Sequence, residues 1–501
     1  MGVGILLAVL VASAALQQGQ LIARMGFDGE NSPSEGVSLF ALSRLRAGGT
    51  LYLDYRHPPH AISPYMPLFY WGTGLVARAG KSWQEMVVVA RCTAYGYWVG
   101  VGIAIFGLAR QAKCAWPAAL LAASLWGAGE LAQGWANSVR PDAATLFFSL
   151  AAVWVYQWRQ TRIYLVGSTG LLIVAALCKQ TAVAPLAAIV LAEFLAKRHL
   201  RAATVAGAWG GVMAAVMVAG QALTGGRFVL NTVTSIALPW PWRMTWALVG
   251  SSLAMGAVAF WGGALACVAK PRQPGVALLK YYFVISLALS FVRSRVFGAW
   301  SNHYLEPFAV GCILTGVLAQ DILTGEAHEV GRWSRVWWLA TALGVSVVPL
   351  VDKTREVFQQ IGRGDETSWK RLVADLGELD GPVLSEDDYL SVRSGRTPFI
   401  LEVDVFAHFQ HAGKFDDTEL LRKIERREFV AVITKVPIDA AMRPRWAFSR
   451  RWLEPIRAGY ELVRTYGAPE HTETRYLYRP RTVSLNGAAF EKAAPGETIQ
   501  L

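Results

Sequence analysis

Long apolar stretches follow one another along the first 350 residues, separated by short polar segments. A helix needs about 20 mostly apolar residues to cross a bilayer, and eleven stretches approach that length. They cover approximately residues 3–23, 86–108, 115–133, 142–158, 163–178, 181–196, 203–223, 244–268, 278–292, 303–322 and 333–351. The pattern therefore predicts a polytopic α-helical membrane protein, with about eleven transmembrane helices in residues 1–350.

After residue 350 the pattern changes to that of a soluble domain. Short apolar, strand-like runs alternate with amphipathic helical stretches, an arrangement typical of α/β or α+β units. We therefore expect a small C-terminal soluble α/β domain over residues 351–480 and a polar tail over 481–501. The acidic residues Glu386, Asp387 and Asp388 are expected to be exposed at the start of a helix.

Basic residues indicate how the predicted helices are oriented. Alternate connectors are short and rich in Lys and Arg, at residues 110–113, 159–162, 197–201, 270–280 and 332–335. Cytoplasmic loops collect such residues, so these connectors are predicted to face the cytoplasm. No Lys or Arg precedes the first apolar run, which favours an uncleaved helix over a signal peptide. The N-terminus is then cytoplasmic, whereas loop 24–85 and the C-terminal domain are extracytoplasmic.

Composition excludes several other classes of protein. Only 17% of the residues are charged, against about 25% in soluble domains. The basic connectors explain the net charge of +12. The sequence contains no basic stripe interleaved with aromatic residues, which is the pattern that would predict nucleic-acid binding. The five cysteines lie in or beside apolar segments, which argues against a disulfide framework or a zinc site.

The first predicted outer loop, residues 24–85, is far longer than a connector requires. Loops longer than about 12–15 residues are usually functional or disordered. Asp28 and Glu30 directly follow the first helix, and Glu35 comes soon after. Neighbouring carboxylates suit a general base or a divalent metal ion, although a solvated loop often contains such acids as well.

Charged and aromatic side chains from other segments are predicted on the same side of the membrane as this loop. These positions are Tyr65, Tyr70, Arg140, Asp142, Lys179, Arg293, Arg295, His303 and Tyr304. Taken singly, Asp142 fits a helix N-terminus, Lys179 fits a snorkelling lysine, and the tyrosines fit an interfacial aromatic belt. Charges near the membrane usually have a partner or a function. Together these side chains have the composition of a site that binds an anionic lipid headgroup and a hydroxyl nucleophile.

The order of these motifs resembles that of the bacterial GT-C glycosyltransferases, the dolichyl-phosphate-mannose mannosyltransferase-like and aminoarabinose-transferase-like enzymes. The matching motifs are Asp28-Gly29-Glu30, Tyr52-Leu53-Asp54, Pro67-Leu68-Phe69-Tyr70-Trp71, Arg140-Pro141-Asp142, Lys179 before a helix, and Ser301-Asn302-His303-Tyr304. The resemblance covers most of residues 20–320. It implies a multi-pass glycosyltransferase of the bacterial inner membrane. Such an enzyme moves a hexosyl or pentosyl group from a polyprenyl-phosphate donor to a hydroxyl of a glycan, lipid or protein acceptor.

The resemblance also implies roles for individual residues. Asp28 matches the family's base, and Glu30 and Glu35 are candidates for a second acid. Arg140, Asp142, Lys179, Arg293 and Arg295 would form the donor phosphate site, and Tyr65, Tyr70, His303 and Tyr304 would contact substrate. A single displacement would invert the anomeric carbon. A divalent metal ion on Asp28, Glu30 or His303 is left open, since hard cations take carboxylate oxygens.

Two functions without chemistry compete with this interpretation. A transporter or flippase of lipid-linked glycans would carry inverted repeats and broken helices, and inspection of the sequence reveals neither. A structural or assembly subunit would tolerate alanine at the charged outer positions, whereas an enzyme would not.

Overall fold

The computed structural model describes residues 2–159, 161–236, 238–269, 274–324, 365–393, 397–441, 448–467 and 474–481. The predicted last span over 333–351, the connector 332–335 and most of the tail over 481–501 lie outside the described residues. The junction near residue 351 lies outside them as well, so the division of the chain into a membrane domain and a soluble domain stays a prediction.

Apolar helices occupy every predicted span that falls within the described residues. Their bounds are Gly2–Ala23, Trp83–Gln111, Trp116–Ala128, Asp142–Trp158, Arg162–Cys178, Ala184–Leu195, His199–Leu223, Trp242–Met255, Ala257–Val268, Pro274–Arg293 and Leu305–Leu323. Over the described part of the chain, four helices are long and apolar enough to cross a membrane, or five if a bent pair counts as one span. These helices identify the chain as a membrane protein, whereas the full number of spans stays a prediction.

The predicted span 244–268 is a broken helix rather than a straight one. Trp242–Met255 and Ala257–Val268 meet at an angle of 87°, with Gly256 between them. A Cβ atom at Gly256 would lie 2.5 Å from the Phe260 ring and 2.8 Å from the Phe308 ring, so only glycine fits there. Apolar residues continue through the break, which is why the hydrophobic pattern did not reveal it.

The first outer loop folds into two helices, Glu35–Arg46 and Pro67–Ala77, after a single turn over Arg24–Gly26. Proline suits the first turn of a helix because the missing N–H would have no partner there. A Cβ atom at Gly36 would lie 2.4 Å from the backbone of Tyr389. The loop therefore packs directly on the C-terminal part of the chain.

Short helical segments connect several of the longer elements. They are Glu130–Gln133, Arg227–Val229, Leu230–Thr234 and Ser301–Tyr304. The last of these leads into Leu305–Leu323 and carries part of the candidate site.

The C-terminal part contains a four-stranded sheet in the order β1-β2-β4-β3. The strands are β1 (Val383–Ser385), β2 (Ala431–Thr434), β3 (Tyr460–Tyr466) and β4 (Arg475–Pro480). β1 and β2 are parallel, and the other pairs are antiparallel. The surrounding helices are Asp365–Gly377, Asp388–Arg393, Val403–His411, Thr418–Glu425, Ile438–Ala441 and Arg450–Gly459. Side chains such as Phe406, Phe409 and Trp452 form the core against the sheet.

The three acids at the end of β1 are buried, not exposed as the sequence predicted. Asp387 Oδ2 lies 2.7 Å from Arg475 Nη2, and the Asp387 side chain has no accessible surface. The prediction was wrong because the helix Asp388–Arg393 packs against the first outer loop instead of facing solvent.

Candidate functional site

A buried ion cluster forms where three segments meet at one end of the apolar helices. Lys179 Nζ lies 2.6 Å from Asp142 Oδ1, and Arg140 Nε lies 3.4 Å from Asp142 Oδ2. Asn302 Nδ2 donates a hydrogen bond to Asp142 Oδ1 at 2.9 Å. All four side chains are buried. The structure thus brings the predicted Arg140, Asp142 and Lys179 together and adds Asn302, which sequence reasoning did not select.

Within the cluster two cations surround a single carboxylate, that of Asp142, and the carboxyl group of Glu402 interacts with Arg140 from outside the cluster. Lys179 Nζ and the Arg140 guanidinium lie 5.9 Å and 5.8 Å from the centre of the Tyr65 ring, a cation–π geometry. Burial raises the pKa of Tyr65, which keeps its hydroxyl neutral and able to donate. A buried excess of positive charge is costly unless an anion compensates it. The cluster is therefore suited to bind an anion.

A second feature of this cluster points to a bound ligand. The Oδ1 atom of Asn302 is buried and has no hydrogen-bond partner among the described residues. Buried polar atoms almost always have a partner. A hydroxyl of a bound molecule would supply the missing donor.

Arg293 and His303 lie next to this cluster. Arg293 Nη1 lies 3.8 Å from Glu306 Oε2, and Arg293 also donates to the backbone carbonyl of Thr181. The hydroxyl of Tyr282 donates to Glu306 at 2.8 Å. His303 lies close enough to Lys179 and Arg293 to interact with both electrostatically. Both predicted residues therefore adjoin the site.

The other predicted contacts have different surroundings. The Arg295 guanidinium stacks on Trp242 at 3.7 Å from the ring centre, and the Tyr304 hydroxyl pairs with Ser294 at 3.1 Å. Tyr70 is fully buried beside Tyr65, with their ring centres 6.1 Å apart. In the described structure these three side chains belong to the packing around the site rather than to the ion cluster.

Glu35 forms a buried ion pair that holds the first outer loop in place. Its oxygens accept from Arg91 Nε at 3.0 Å and Nη2 at 2.8 Å, and neither side chain is accessible. Glu35 also accepts from the backbone N–H groups of Asn31 and Val139. Because its oxygens are saturated with donors, Glu35 anchors the loop and is poorly suited to take a proton.

Asp28 is held by the C-terminal part of the chain. Arg393 Nε and Nη2 donate to its two carboxylate oxygens at 2.9 and 3.1 Å. The Tyr389 hydroxyl donates to Oδ1 at 2.7 Å. Both partners come from the helix Asp388–Arg393, more than 360 residues away in the sequence. No local pattern could have revealed this pairing.

Glu30 is the least engaged of the three loop acids. Its Oε1 accepts a single long hydrogen bond from Gly36 N at 3.3 Å, and its Oε2 lies 3.7 Å from Lys435 Nζ. Burial raises the pKa of Glu30 to about 7, against the opposing effect of Lys435. A carboxyl group with such a pKa is suited to general base catalysis near neutral pH.

The three candidate metal ligands, Asp28, Glu30 and His303, do not fit a metal ion in this structure. Asp28 binds Arg393 and Tyr389, Glu30 faces Lys435, and His303 lies among cations. Over the described ranges, no group of three or more His, Cys, Asp or Glu side chains could hold a metal ion.

The fold matches solved structures of two membrane proteins, although no family model and no curated protein matches the chain. ArnT from Cupriavidus metallidurans bound to undecaprenyl phosphate gives a TM-score of 0.54 at 14% identity, over 96% of this chain and 99% of that one. The apo oligosaccharyltransferase of Archaeoglobus fulgidus gives 0.55 at 11% identity, over 96% of this chain and 75% of that one. A further structure of that oligosaccharyltransferase, with Zn and sulfate, gives 0.52 at 12% identity, over 94% and 73% of the two chains.

Both neighbours have the GT-C fold, so the chain is a membrane protein of that fold. This confirms the fold that the sequence motifs predicted. At such low identity the likeness defines the fold alone.

Proposed function

We propose that the protein is a membrane glycosyltransferase. It moves a hexosyl or pentosyl group from a polyprenyl-phosphate donor to an acceptor hydroxyl on the extracytoplasmic side of a bacterial inner membrane. The observation that carries this proposal is the buried cluster of Arg140, Lys179 and Asp142 at the end of apolar helices. Structures with the same fold hold undecaprenyl phosphate in ArnT and dolichol phosphate in the archaeal enzyme, which supports a lipid phosphate as the anion.

The position of the cluster supports an extracytoplasmic site. Asp142 begins the helix Asp142–Trp158, and the basic connector with Arg159 and Arg162 follows the other end of this helix. Since Lys- and Arg-rich connectors face the cytoplasm, the cluster would lie at the opposite surface. The sugar donor would then present its phosphate where the first outer loop covers the helices.

The cluster would act chiefly on the leaving phosphate. Lys179 and Arg140 would donate charge-assisted hydrogen bonds to the phosphate oxygens as the bond to the anomeric carbon breaks. Such preorganised charges are most effective in a site that excludes water. Asp142 would hold both cations in position through the contacts described above, and Arg293 would add positive charge nearby.

We assign the role of general base to Glu30 rather than to Asp28, the residue that the sequence motifs favoured. The oxygens of Asp28 are occupied by Arg393 and Tyr389, whereas Glu30 keeps free acceptor capacity and a pKa of about 7. The acceptor oxygen attacks the anomeric carbon while the bond to the phosphate oxygen breaks. The hydroxyl proton passes to Glu30, the polyprenyl phosphate leaves, and the anomeric configuration inverts.

The proposed function is tested by incubating the purified full chain with a panel of undecaprenyl-phosphate sugars, with and without EDTA. Transfer of labelled sugar to a cell-envelope acceptor supports an enzyme. Movement of the intact donor across the membrane of a proteoliposome, without sugar transfer, would instead support the second candidate, a transporter or flippase. The broken helix at Gly256 favours that candidate, because transporters often contain such breaks.

Replacing Lys179 by glutamine is expected to weaken binding of undecaprenyl phosphate about ten- to a hundredfold, since a hydrogen bond to a charged group is lost. Titration calorimetry on the full chain in nanodiscs measures this change. Lys280→Gln is the matched control, because Lys280 is also buried but donates to the carbonyl of Ala269 in another region. Equal affinity in the Lys179 variant and the unaltered protein would remove Lys179 from the donor site.

The pH dependence of transfer is expected to follow the ionisation of Glu30. The base must be deprotonated, and burial places its pKa at about 7. As the pH falls below 7, kcat/KM should therefore decrease about tenfold per pH unit. A constant kcat/KM between about pH 5 and 8, recorded while the protein stays folded, would contradict this assignment.

A further inference from the structure

A cavity of about 1080 Å³ lies between the ends of four apolar helices. Small-molecule sites typically occupy roughly 300–1,000 Å³, so it is large enough to hold a ligand. Asp142 begins the helix whose last residue, Trp158, lines the cavity. At 1.5 Å per residue, the cavity therefore lies roughly 20 Å from the donor cluster, at the opposite end of the helices. The remaining walls come from Trp83–Gln111, Ala184–Leu195 and Pro274–Arg293.

Basic side chains line this cavity where the helices end. The described residues of its wall include Arg110, Lys113 and Arg198 but no Asp or Glu. In the described part of the chain, Arg110 and Lys113 form no ion pair. Arg110 Nη1 donates to the carbonyl of Cys114 at 2.5 Å, and its guanidinium lies 5.6 Å from the centre of the Trp116 ring. Neither contact neutralises its charge, so an anion in the cavity would be attracted to both cations.

Nearby acids compensate only part of the positive charge at this end of the helices. Glu193 Oε1 lies 3.7 Å from Arg198 Nη1 and 3.4 Å from Arg201 Nη2, so two arginines share one buried carboxylate. Asp321 interacts electrostatically with Lys280. Together with the two cations described above, the basic side chains here outnumber the acidic ones. The cavity is therefore suited to an anion rather than to a neutral or zwitterionic molecule.

The deeper wall of the cavity is apolar. Ile103 and Phe106 lie seven and four residues before Arg110 on the same helix and line the cavity with it. They are therefore roughly 6–10 Å nearer the middle of the predicted membrane. Trp154 and Trp158, with ring centres 6.4 Å apart, also line it, and tryptophan favours the membrane interface. A charged outer part and an apolar deeper part match a lipid with an anionic headgroup.

A buried acceptor in the wall indicates that this headgroup carries a hydroxyl. Gln111 lines the cavity beside Arg110, and its Nε2 donates to the backbone carbonyl of Trp154 at 3.3 Å. Its Oε1 is buried and has no hydrogen-bond partner among the described residues. Buried polar atoms almost always have a partner. A hydroxyl next to the phosphate of a bound lipid would supply the missing donor.

We infer that this cavity binds one anionic phospholipid with a hydroxylated headgroup, such as phosphatidylglycerol. The phosphate lies at Arg110 and Lys113, the headgroup hydroxyl donates to Gln111 Oε1, and an acyl chain lies against Ile103 and Phe106. Basic pockets between transmembrane helices bind such headgroups on the cytoplasmic side, which is the side where the basic connectors place this cavity. The lipid would join the ends of four helices on the side opposite the donor site. This site does not depend on the proposed function.

The test measures lipid binding to the full chain in a charge-neutral detergent by native mass spectrometry. Phosphatidylglycerol is expected to bind at least about tenfold more tightly than phosphatidylcholine. Arg110→Gln combined with Lys113→Gln should weaken phosphatidylglycerol binding about ten- to a hundredfold, because charge-assisted hydrogen bonds to the phosphate are lost. Arg162→Gln combined with Lys197→Gln is the matched control. It removes the same charge from the same predicted surface, at positions that do not line the cavity, and should leave the affinity unchanged.

Two further substitutions test the cavity itself. Ala196→Trp places a large side chain in the wall without altering any charge, and should also weaken phosphatidylglycerol binding at least about tenfold, because the space for the lipid is filled. Gln111→Leu should weaken binding of phosphatidylglycerol but not of phosphatidic acid, which has no headgroup hydroxyl. Melting temperatures recorded without added lipid verify that each variant is folded.

Equal affinity for phosphatidylglycerol and phosphatidylcholine would overturn the inference, as would unchanged affinity in the Ala196 variant or in the Arg110 and Lys113 double variant. Displacement of phosphatidylglycerol by equimolar undecaprenyl phosphate would overturn it as well, because the cavity would then be a second site for polyprenyl phosphate. None of these measurements requires sugar transfer, so failure of the proposed function gives a different result.

Discussion

Replacing Glu30 by glutamine is expected to lower kcat for sugar transfer about 10²- to 10⁴-fold, the usual contribution of a general base. Glutamine keeps the size of the side chain and the contact with Gly36 N, but it cannot accept the acceptor's proton. Affinity for undecaprenyl phosphate should change little, because Glu30 contacts Lys435 rather than the cationic cluster. Steady-state kinetics combined with titration calorimetry distinguishes these two effects.

Two further variants serve as controls for Glu30. Glu386→Gln removes another buried carboxyl group whose pKa is raised by burial to about 7, and kcat should stay close to that of the unaltered protein. Asp28→Asn removes the residue that the sequence motifs favoured as base. Loss of turnover in the Asp28 variant together with full turnover in the Glu30 variant would return the role of base to Asp28.

Replacing Arg91 by methionine is expected to lower the free energy of unfolding by about 3–5 kcal/mol, because the carboxylate of Glu35 is left buried without a counter-charge. Arg91 also donates to the backbone carbonyl of Phe27 at 2.6 Å, so its loss releases the segment that carries Asp28 and Glu30. Denaturant or thermal unfolding of the full chain in detergent measures the effect. Activity should fall by more than the unfolded fraction accounts for, because the segment that carries Glu30 is released in the folded protein as well.

A second substitution and an exposed pair test this explanation. Arg91→Met combined with Glu35→Met should recover only part of the lost stability: no unpaired charge is left buried, but the backbone N–H groups of Asn31 and Val139 lose their acceptor. Arg464→Gln breaks the ion pair with Asp375, in which the Arg464 side chain is 59% accessible, and should change the free energy of unfolding very little, because water screens exposed ion pairs. An equally small effect at Arg91 would contradict the anchoring role.

The positions of the apolar helices could be predicted because a membrane-spanning helix requires a run of about 20 mostly apolar residues. Arg140, Asp142 and Lys179 could be predicted as a group for a related reason. Each lies directly beside the end of a predicted helix, and alternating orientation places those ends at the same surface. The local sequence was therefore sufficient to predict the cationic part of the site.

The rest of the site depends on contacts that no local pattern encodes. Asp28 forms an ion pair with Arg393, and Glu30 lies beside Lys435, although each pair is separated by hundreds of residues in the sequence. The prediction that Asp387 is exposed was wrong for the same reason, because the first outer loop covers its helix. The break at Gly256 likewise arises from tertiary packing, because the rings of Phe260 and Phe308 leave no room for a side chain there.

In the proposed enzyme, Arg140 and Lys179 bind a lipid phosphate opposite the loop carboxyl group of Glu30. The most direct measurement is an electron cryomicroscopy structure of the full chain in nanodiscs with undecaprenyl phosphate. We predict density for the phosphate within hydrogen-bond distance of Lys179 Nζ and the Arg140 guanidinium, with Glu30 lining the same binding site. A phosphate bound elsewhere, with the ion cluster of Asp142 closed and empty, would show that Arg140 and Lys179 do not form the donor site.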